Sequence, residues 1–286
     1  MRLRSTGVPL QYVLASQPFG NLDILCRRGV LIPRPETEAY VHHLAGVVRT
    51  RFARKKAHGA GLCILDLCSG SGCIALGLFA LLARHFPTLH VQGIDVCPKA
   101  VALARENIRH NKDNLTGGGL AASQSISFRR MDVFSPRFLA DIGAREWDVI
   151  MSNPPYVDPV TWALGRGGLG LSVRRFEPER ALLAPLDVPL EKDGVVWERR
   201  DAFYGRLAEV VRVLQPEMTL WEVGEETQAG RVLEIVRKMG LGHWQAEVWR
   251  DWPDVPGDRG DNEAEMMFGT PTRGSGNMRS LFLQRE

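Results

Sequence analysis

The sequence predicts an α/β fold, a mainly parallel seven-stranded sheet with helices on both faces, preceded by a β-hairpin. From residue 62 onward, short apolar runs of strand length alternate with longer stretches of helical periodicity. A glycine-rich turn at residues 68–72 joins the first of these strands to the first of these helices. Repeated βα units place the strands parallel, and such sheets bind ligands beyond the carboxyl ends of their strands.

Residues 1–33 are predicted to be an N-terminal segment that contains the hairpin. Its β-prone runs are residues 12–14, 23–25 and 30–32, and the turn residues between them are Pro18, Gly20 and Gly29. Residues 34–286 are predicted to form one domain, which begins with a helix over about residues 35–56. Pro35 suits the first turn of that helix, and Glu36 and Glu38 complement its positive end.

The main domain follows in order. Its strands are predicted at 63–67, 91–95, 126–131, 147–151, 219–223, 244–249 and 279–283, the last of them at an edge of the sheet. Its further helices are predicted at 73–86, 98–110, 199–213 and 227–239. Residues 113–124 are predicted to be a loop, and residues 251–277 a mobile loop, because both are rich in glycine and polar residues.

The composition excludes several classes of protein. The 286 residues are 44% hydrophobic, and the net charge of +3 favours neither a nucleic-acid wrapper nor a membrane-surface protein. No apolar run approaches the roughly 20 residues of a membrane span. The five cysteines form no C-x-x-C pair and the seven histidines no H-E-x-x-H, so we expect reduced thiols and no bound metal.

The glycine-rich turn fits a nucleotide-binding pattern. Gly70, Gly72 and Ala75 satisfy G-x-G-x-x-G/A between a predicted strand and a predicted helix. Nicotinamide, flavin and S-adenosylmethionine proteins all use glycines where backbone and ligand approach closely. The turn lacks the Gly-Lys-Ser/Thr of a P-loop, and the chain lacks the G-x-S-x-G elbow of a serine hydrolase.

Acidic residues lie at the ends of three successive predicted strands. Asp95 is placed to accept both ribose hydroxyls of an adenosyl ligand, and Asp132 with Val133 to meet its adenine. Asp66 is placed to receive an ammonium group, which S-adenosylmethionine has and NAD lacks. Each acid alone is also explained as a cap or loop charge, but their joint placement favours a cofactor.

The fourth strand runs into Asn153, Pro154, Pro155 and Tyr156. The two prolines fix their own φ and force extended conformations on the preceding residues, and they contribute carbonyl acceptors without N–H donors. Asn153 adds a side-chain carbonyl, and Tyr156 a flat wall. The turn therefore suits a planar NH₂ group. We predict that Asn153, Pro154 and Tyr156 are catalytic and that all four residues bind substrate.

The chain resembles the HemK/PrmC group of S-adenosylmethionine-dependent methyltransferases, whose fold is Rossmann-like and of class I. The resemblance rests on residues 64–76, Asp95 and 152–157. Residues 31–38, with the sequence Leu-Ile-Pro-Arg-Pro-Glu-Thr-Glu, resemble a signature of the branch that methylates peptide-chain release factors. Residues 9–14, 19–20, 176–178, 181–182, 222–224 and Gln228 also fit that branch.

The resemblance implies methylation of the side-chain amide nitrogen, N5, of the glutamine in a release factor's Gly-Gly-Gln motif, with S-adenosylmethionine as the methyl donor. The residues expected to bind the cofactor are Thr37, Asp66, Cys68, Ser69, Gly70, Ser71, Gly72, Asp95, Asp132, Val133 and Asn153. The expected partner is the release factor's Gly-Gly-Gln loop, with no membrane, no sequence-specific nucleic acid and a monomeric enzyme.

The hypothesis for the reaction is that the Asn153 side-chain oxygen and the Pro154 carbonyl each accept one N–H of the glutamine amide. An adenine-N6 nucleic-acid methyltransferase is an alternative, because an exocyclic NH₂ presents the same problem. A non-catalytic adenosyl-binding partner protein is another alternative. An NAD dehydrogenase is less favoured than either of these two.

The chain differs from the family's pattern in two ways. It begins almost at the hairpin, where the family has a helical domain that helps to grip the release factor, and residues 186–200 and 251–276 are expanded. We therefore expect a eukaryotic, mitochondrial member without that helical domain, with the cytoplasm as the alternative compartment.

Overall fold

The structure, a computed structural model, describes residues 6–57, 59–116, 122–165, 170–256 and 265–286. Its centre is a nine-stranded sheet of order β11-β12-β10-β13-β9-β6-β3-β4-β5. The strands are β1 Ser16–Phe19, β2 Leu22–Leu25, β3 Leu62–Leu67, β4 Leu89–Asp95, β5 Gln124–Arg130, β6 Val149–Ser152, β7 Glu191–Lys192, β8 Val195–Val196, β9 Met218–Glu222, β10 Gln245–Trp252, β11 Met266–Met267, β12 Thr270–Arg273 and β13 Ser275–Gln284.

The helices pack on both faces of this sheet, as predicted. They are α1 Leu10–Leu14, α2 Pro35–Arg51, α3 Ala53–Ala57, α4 Cys73–Leu82, α5 Pro98–His110, α6 Lys112–Thr116, α7 Phe138–Ile142, α8 Pro159–Leu164, α9 Leu171–Phe176, α10 Ala202–Leu214 and α11 Glu226–Val236. One buried cluster joins α2, α4 and α5 to the sheet, and a second joins α10 and α11 to it. Within the described ranges, no helix is both long and apolar enough to cross a membrane.

The pairing of the strands confirms a mainly parallel sheet with one correction. Strands β5, β4, β3, β6 and β9 pair in parallel. The last strand, predicted at an edge, instead lies between β10 and β9 and is antiparallel to both. Its residues from Met278 to Leu283 are largely buried, with Leu281 and Leu283 fully so, because neighbouring strands flank it on both sides. The short β11 and β12 extend the sheet beyond the seven predicted strands.

The N-terminal hairpin is confirmed, although two of its three predicted β runs are wrong. Strands β1 and β2 pair in antiparallel fashion. Residues 12–14 instead belong to helix α1, whose first turn closes where Tyr12 and Val13 donate to the Pro9 carbonyl. Residues 30–32 form no strand. They follow a turn at Gly29, whose φ of +90° redirects the chain.

Several boundaries also differ from the prediction. The helix predicted over 35–56 breaks at Phe52, and the helix predicted to reach residue 86 ends at Leu82. The loop predicted over 113–124 contains helix α6, and β5 already begins at Gln124, while residues 117–121 lie outside the described ranges.

The prediction of a mobile loop over residues 251–277 is wrong for those residues of this range that the structure describes. Strand β10 continues to Trp252, β11 and β12 follow, and β13 begins at Ser275. The carboxylate of Asp251 ties this region down, accepting from the Asn277 backbone and the Arg279 side chain at 2.8 Å each. Residues 257–264 lie outside the described ranges.

Candidate active site

A cleft of about 1470 Å³ opens beyond the carboxyl ends of β3, β4 and β6. This is where a parallel sheet with helices on both faces is expected to bind a ligand, and the volume exceeds the roughly 300–1,000 Å³ of most single-ligand sites. The predicted site residues that line it are Thr37, Cys68, Ser69, Gly70, Ser71, Asp95, Asp132, Val133, Asn153 and Pro155. Asp66, Gly72, Pro154 and Tyr156 lie next to these residues in the chain but do not line the cleft.

The glycine-rich turn combines open space with tight packing. Gly70 has a φ of +54°, and a Cβ added there would meet nothing within 4 Å, so its backbone is open to a ligand. Gly72 has a φ of +81°, and a Cβ there would come within 2.6 Å of Phe128. Cys68 has a φ of +62° without being glycine, which indicates a backbone held in place by its surroundings.

Asp95 holds this turn in place. One of its oxygens accepts the Gly70 N–H at 2.9 Å, and the other accepts the Cys97 N–H at 2.8 Å. Burial raises the pKa of Asp95, although these two N–H groups oppose the shift. Each carboxylate oxygen has a second lone pair, so Asp95 retains acceptor capacity toward a diol.

Two buried oxygen-bearing side chains, one near the end of β3 and one just after it, have no hydrogen-bond partner of normal geometry among the described residues. Asp66 is fully buried, and neither of its carboxyl oxygens accepts a hydrogen bond of normal geometry from the described residues. Burial raises the pKa of Asp66 to about 8, against the opposing effect of the Ala75 N–H. The Ser69 hydroxyl, in the cleft wall, is likewise buried without a partner among the described residues. These atoms fit a ligand that brings its own donors, such as an ammonium group.

Asp132 and Val133 form the far end of the cleft. Asp132 is exposed, and its Oδ1 accepts the Phe134 N–H at 2.9 Å. Val133 is buried, and the rings of Phe134 and Phe203 line the cleft beside it in edge-to-face contact, 4.9 Å between centroids. Apolar walls with one exposed carboxylate suit a flat, partly polar ring.

The turn formed by residues 153–156, named the Asn153 turn, has two faces. Asn153 and Pro155 line the cleft, whereas the Tyr156 ring packs against Gly224 and its hydroxyl donates to Glu222 Oε1 at 3.0 Å. Tyr156 thus supports the turn from behind. The Pro154 carbonyl accepts no hydrogen bond from the described residues and remains a free acceptor.

Glu222 is a residue of the site to which the sequence analysis gave no role, although residues 222–224 fit the branch's pattern. It is the last residue of β9, and because Ser152 of β6 pairs with Trp221, the next residues, Asn153 and Glu222, lie side by side. Its side chain is buried. A carboxylate ending an otherwise apolar strand beside the Asn153 strand is the signal that would have indicated it.

Five residues of the release-factor signature at residues 31–38 line part of the same cleft. Thr37 lines it and donates to Glu222 Oε2 at 2.9 Å. Arg34 forms a 2.8 Å ion pair with Glu177, whose other oxygen accepts the Ile32 N–H at 3.2 Å. Two motifs more than 140 residues apart therefore bind each other.

Gln228 joins the Asn153 turn to its neighbours. Its Oε1 accepts the Gly224 N–H at 2.8 Å, and its Nε2 donates to the Tyr156 carbonyl at 3.2 Å and to Asp201 at 2.9 Å. The turn is held on both sides, which favours preorganised binding over adaptive binding.

The chain is similar in sequence to known proteins. A family model described as methyltransferase small domain matches residues 52–165. The mitochondrial MRF1 N(5)-glutamine methyltransferase MTQ1 of Saccharomyces cerevisiae is 34% identical over 93% of this chain and 77% of its own length. A protein of Schizosaccharomyces pombe, named as a probable mtq1 of the same kind, is 33% identical over 87% and 74%.

A bacterial protein is similar to part of this chain in sequence, and a solved structure is similar to it in fold. The release factor glutamine methyltransferase of Pasteurella multocida is 35% identical over 63% of this chain and 55% of that protein. The N-terminal domain of human METTL16 shares the fold with a TM-score of 0.51, at 15% identity over 96% of this chain and 79% of that one. With this fold and these relatives, the chain belongs to the release factor glutamine methyltransferase family.

Proposed function

We propose that this protein transfers a methyl group from S-adenosylmethionine to the side-chain amide nitrogen of the glutamine in a release factor's Gly-Gly-Gln motif. The observation that carries the proposal is the position of Asn153, which lines the same cleft as the glycine-rich turn. The relatives named as glutamine methyltransferases support the choice of an amide.

The residues present fit the cofactor. Gly70 leaves open backbone, Asp95 has acceptor capacity for a ribose, and Asp66 and Ser69 have buried oxygens without partners among the described residues. Val133, with the neighbouring aromatic rings, would hold the adenine. When bound, S-adenosylmethionine supplies an electrophilic methyl group on a sulfonium sulfur.

The chain's own contribution is to orient a poor nucleophile. An amide nitrogen donates its lone pair weakly because the pair is delocalised into the carbonyl. Asn153 Oδ1 and the free Pro154 carbonyl would each accept one N–H and so fix the direction of the lone pair, which is catalysis by positioning. A carbon–nitrogen bond forms, the carbon–sulfur bond breaks, and one amide proton then leaves to solvent, so no general base is needed before transfer.

A direct assay tests the proposal. The protein is incubated with methyl-labelled S-adenosylmethionine and a Gly-Gly-Gln release factor, a variant release factor with that glutamine replaced by asparagine, or DNA and RNA. We expect label only in the intact release factor. Label in nucleic acid would favour the adenine-N6 alternative, and no label in any substrate would favour a non-catalytic adenosyl-binding protein.

Asn153→Ala is the matching test within the chain. It removes the side-chain acceptor, so we expect methyl transfer to fall by at least about 100-fold, while the Kd for S-adenosylmethionine changes by less than about threefold. Asn114→Ala, an asparagine near the hairpin and outside the cleft, is the control and should retain activity. Wild-type turnover in Asn153→Ala would refute the assigned role.

We further propose that the substrate is a mitochondrial release factor. The enzyme acts as a monomer. Each monomer consists of the hairpin segment, residues 1–33, and the catalytic domain, residues 34–286. The mitochondrial relatives in two yeasts support the compartment. Imaging of the tagged full-length protein tests it, with a mitochondrial signal expected and a purely cytoplasmic one contradicting it.

A further inference from the structure

Glu222 is a buried carboxylate that accepts hydrogen bonds from side chains of two other segments. Its Oε2 accepts from Thr37, Tyr40 and Asn153 at 2.9 Å each, and its Oε1 accepts from Tyr156 at 3.0 Å. Helix α2 supplies two of these donors and the Asn153 turn supplies the other two. The side chain is buried and does not line the cleft.

The chemistry of these partners decides how the Asn153 amide is turned. An ionised carboxylate only accepts hydrogen bonds, and an asparagine NH₂ only donates them. A carboxylate beside Asn153 therefore draws its NH₂ group and repels its oxygen. The Asn153 NH₂ donates to Glu222. Its Oδ1 accepts nothing from the described residues and is therefore turned away from the carboxylate, in a residue that lines the cleft.

The surroundings of Glu222 act on its carboxyl group in opposite directions. Burial raises the pKa of Glu222, but the charge of Arg279 and the hydroxyl donors of Thr37, Tyr40 and Tyr156 oppose the shift. Four donors on one carboxylate, three on Oε2 and one on Oε1, compensate an ionised group for its removal from water.

We propose that Glu222 is a positioning residue for methyl transfer, which turns the Asn153 amide so that its oxygen, and not its NH₂, faces the substrate. The inference rests on the proposed function, because an oxygen is required there only if the substrate presents N–H groups. With the amide reversed, two NH₂ groups would face each other, and the substrate nitrogen would lose its acceptor.

Glu222→Gln tests the proposal because it keeps the size and shape of the side chain. A residue that only fills space would tolerate the change. A positioning residue would not, because the new NH₂ group competes for the place of the Asn153 NH₂. We expect kcat to fall by about 100-fold or more, with the Kd for S-adenosylmethionine within about threefold of wild type. Wild-type kcat in a folded Glu222→Gln protein would overturn the proposal.

Glu247→Gln is the matched control. Glu247 also accepts two hydrogen bonds, from Trp249 at 2.7 Å and Arg273 at 3.0 Å, but it lies on β10 and outside the cleft. The same chemical change there should leave kcat within about twofold of wild type. An equal loss in both variants would overturn the specific role of Glu222.

A second measurement needs neither substrate nor turnover. Asn153→Asp removes only one side-chain NH₂, so it identifies the Asn153 signals in an ¹⁵N–¹H NMR spectrum. In the wild-type protein we expect these protons to lie downfield and to exchange slowly with water, and in Glu222→Gln to shift toward the values of free amides. A free, rapidly exchanging Asn153 NH₂ in the wild type would overturn the proposal even if Glu222→Gln did not fold.

The two measurements separate the possible failures. If the wild-type protein methylates no release factor but its Asn153 NH₂ is protected and depends on Glu222, the proposed function fails while the orientation stands. If the release factor is methylated but the NH₂ is free, the proposed function stands and the positioning role fails.

Discussion

Asp66 is a fully buried carboxyl group whose oxygens accept no hydrogen bond of normal geometry from the described residues. Burial raises the pKa of Asp66 to about 8, far above its ordinary value. The neutral form is thus favoured in the free protein. An ammonium group placed beside it would reverse that preference and lower the pKa again.

We predict that Asp66→Asn stabilises the protein while it weakens cofactor binding. Because the folded pKa exceeds the unfolded one, the stability contributed by the neutral carboxyl is complete below about pH 4 and is lost as the pH rises through about 8. The variant lacks this loss, so its advantage in melting temperature should grow between about pH 5 and about pH 8. Thermal unfolding at both pH values measures it, and calorimetry should show at least about tenfold weaker binding of S-adenosylmethionine.

The opposite combination would contradict this account of Asp66. If Asp66→Asn were less stable than wild type at both pH values, the carboxyl group would have a structural partner. If the variant bound S-adenosylmethionine as well as wild type, the ammonium group would lie elsewhere.

The glycine-rich turn shows how one short element serves two purposes. At Gly70 the space above the backbone is open to the cleft, whereas at Gly72 it is filled by Phe128 of β5 and Ala104 of α5. The first glycine leaves room for a ligand. The second leaves room for the packing of the turn against a strand and a helix.

We predict that alanine at the two positions has different effects. Gly72→Ala forces a Cβ into Phe128 at a φ of +81°, so it should cost about 2–4 kcal/mol of unfolding free energy. Gly70→Ala meets no atom within 4 Å and should cost about 1 kcal/mol, but at least about tenfold in affinity for S-adenosylmethionine. Chemical unfolding and calorimetric titration of each variant measure this contrast, and equal stability losses would contradict it.

Elements whose evidence is local were predictable from the sequence, and contacts between distant segments were not. The turn at 68–72, the strands that contain Asp66 and Asp95, and the strand that precedes Asn153 were predicted because their signals lie within a few neighbouring residues. Glu222 was missed because its partners Thr37 and Asn153 are 185 and 69 residues away along the chain. The edge position predicted for the last strand was wrong for the same reason, since chain order does not fix the order of strands in a sheet.

At the scale of the whole molecule, the hairpin and the main domain are joined through two asparagines, Asn107 in helix α5 and Asn111 immediately after its end. The Leu25 N–H donates to Asn107 Oδ1 and the Asp23 N–H to Asn111 Oδ1, each at 2.8 Å. Asn107 is fully buried, and its Nδ2 donates to the Ser71 carbonyl at 3.0 Å. In the sequence Asn107 looks like an ordinary polar helix residue. In the structure it connects the hairpin to the glycine-rich turn.

We predict that Asn107→Ala destabilises the whole protein and not the hairpin alone. It leaves the Leu25 N–H and the Ser71 carbonyl buried without partners, at about 1–3 kcal/mol each, so the melting temperature should fall by roughly 5–15 °C in a single transition. Asn114→Ala, which removes an exposed bond to the Asn21 carbonyl in the same hairpin, should shift it by less than about 2 °C. Calorimetry measures both variants. Two separate transitions in Asn107→Ala, with the main one unchanged, would instead show that the hairpin segment unfolds independently of the cleft that it borders.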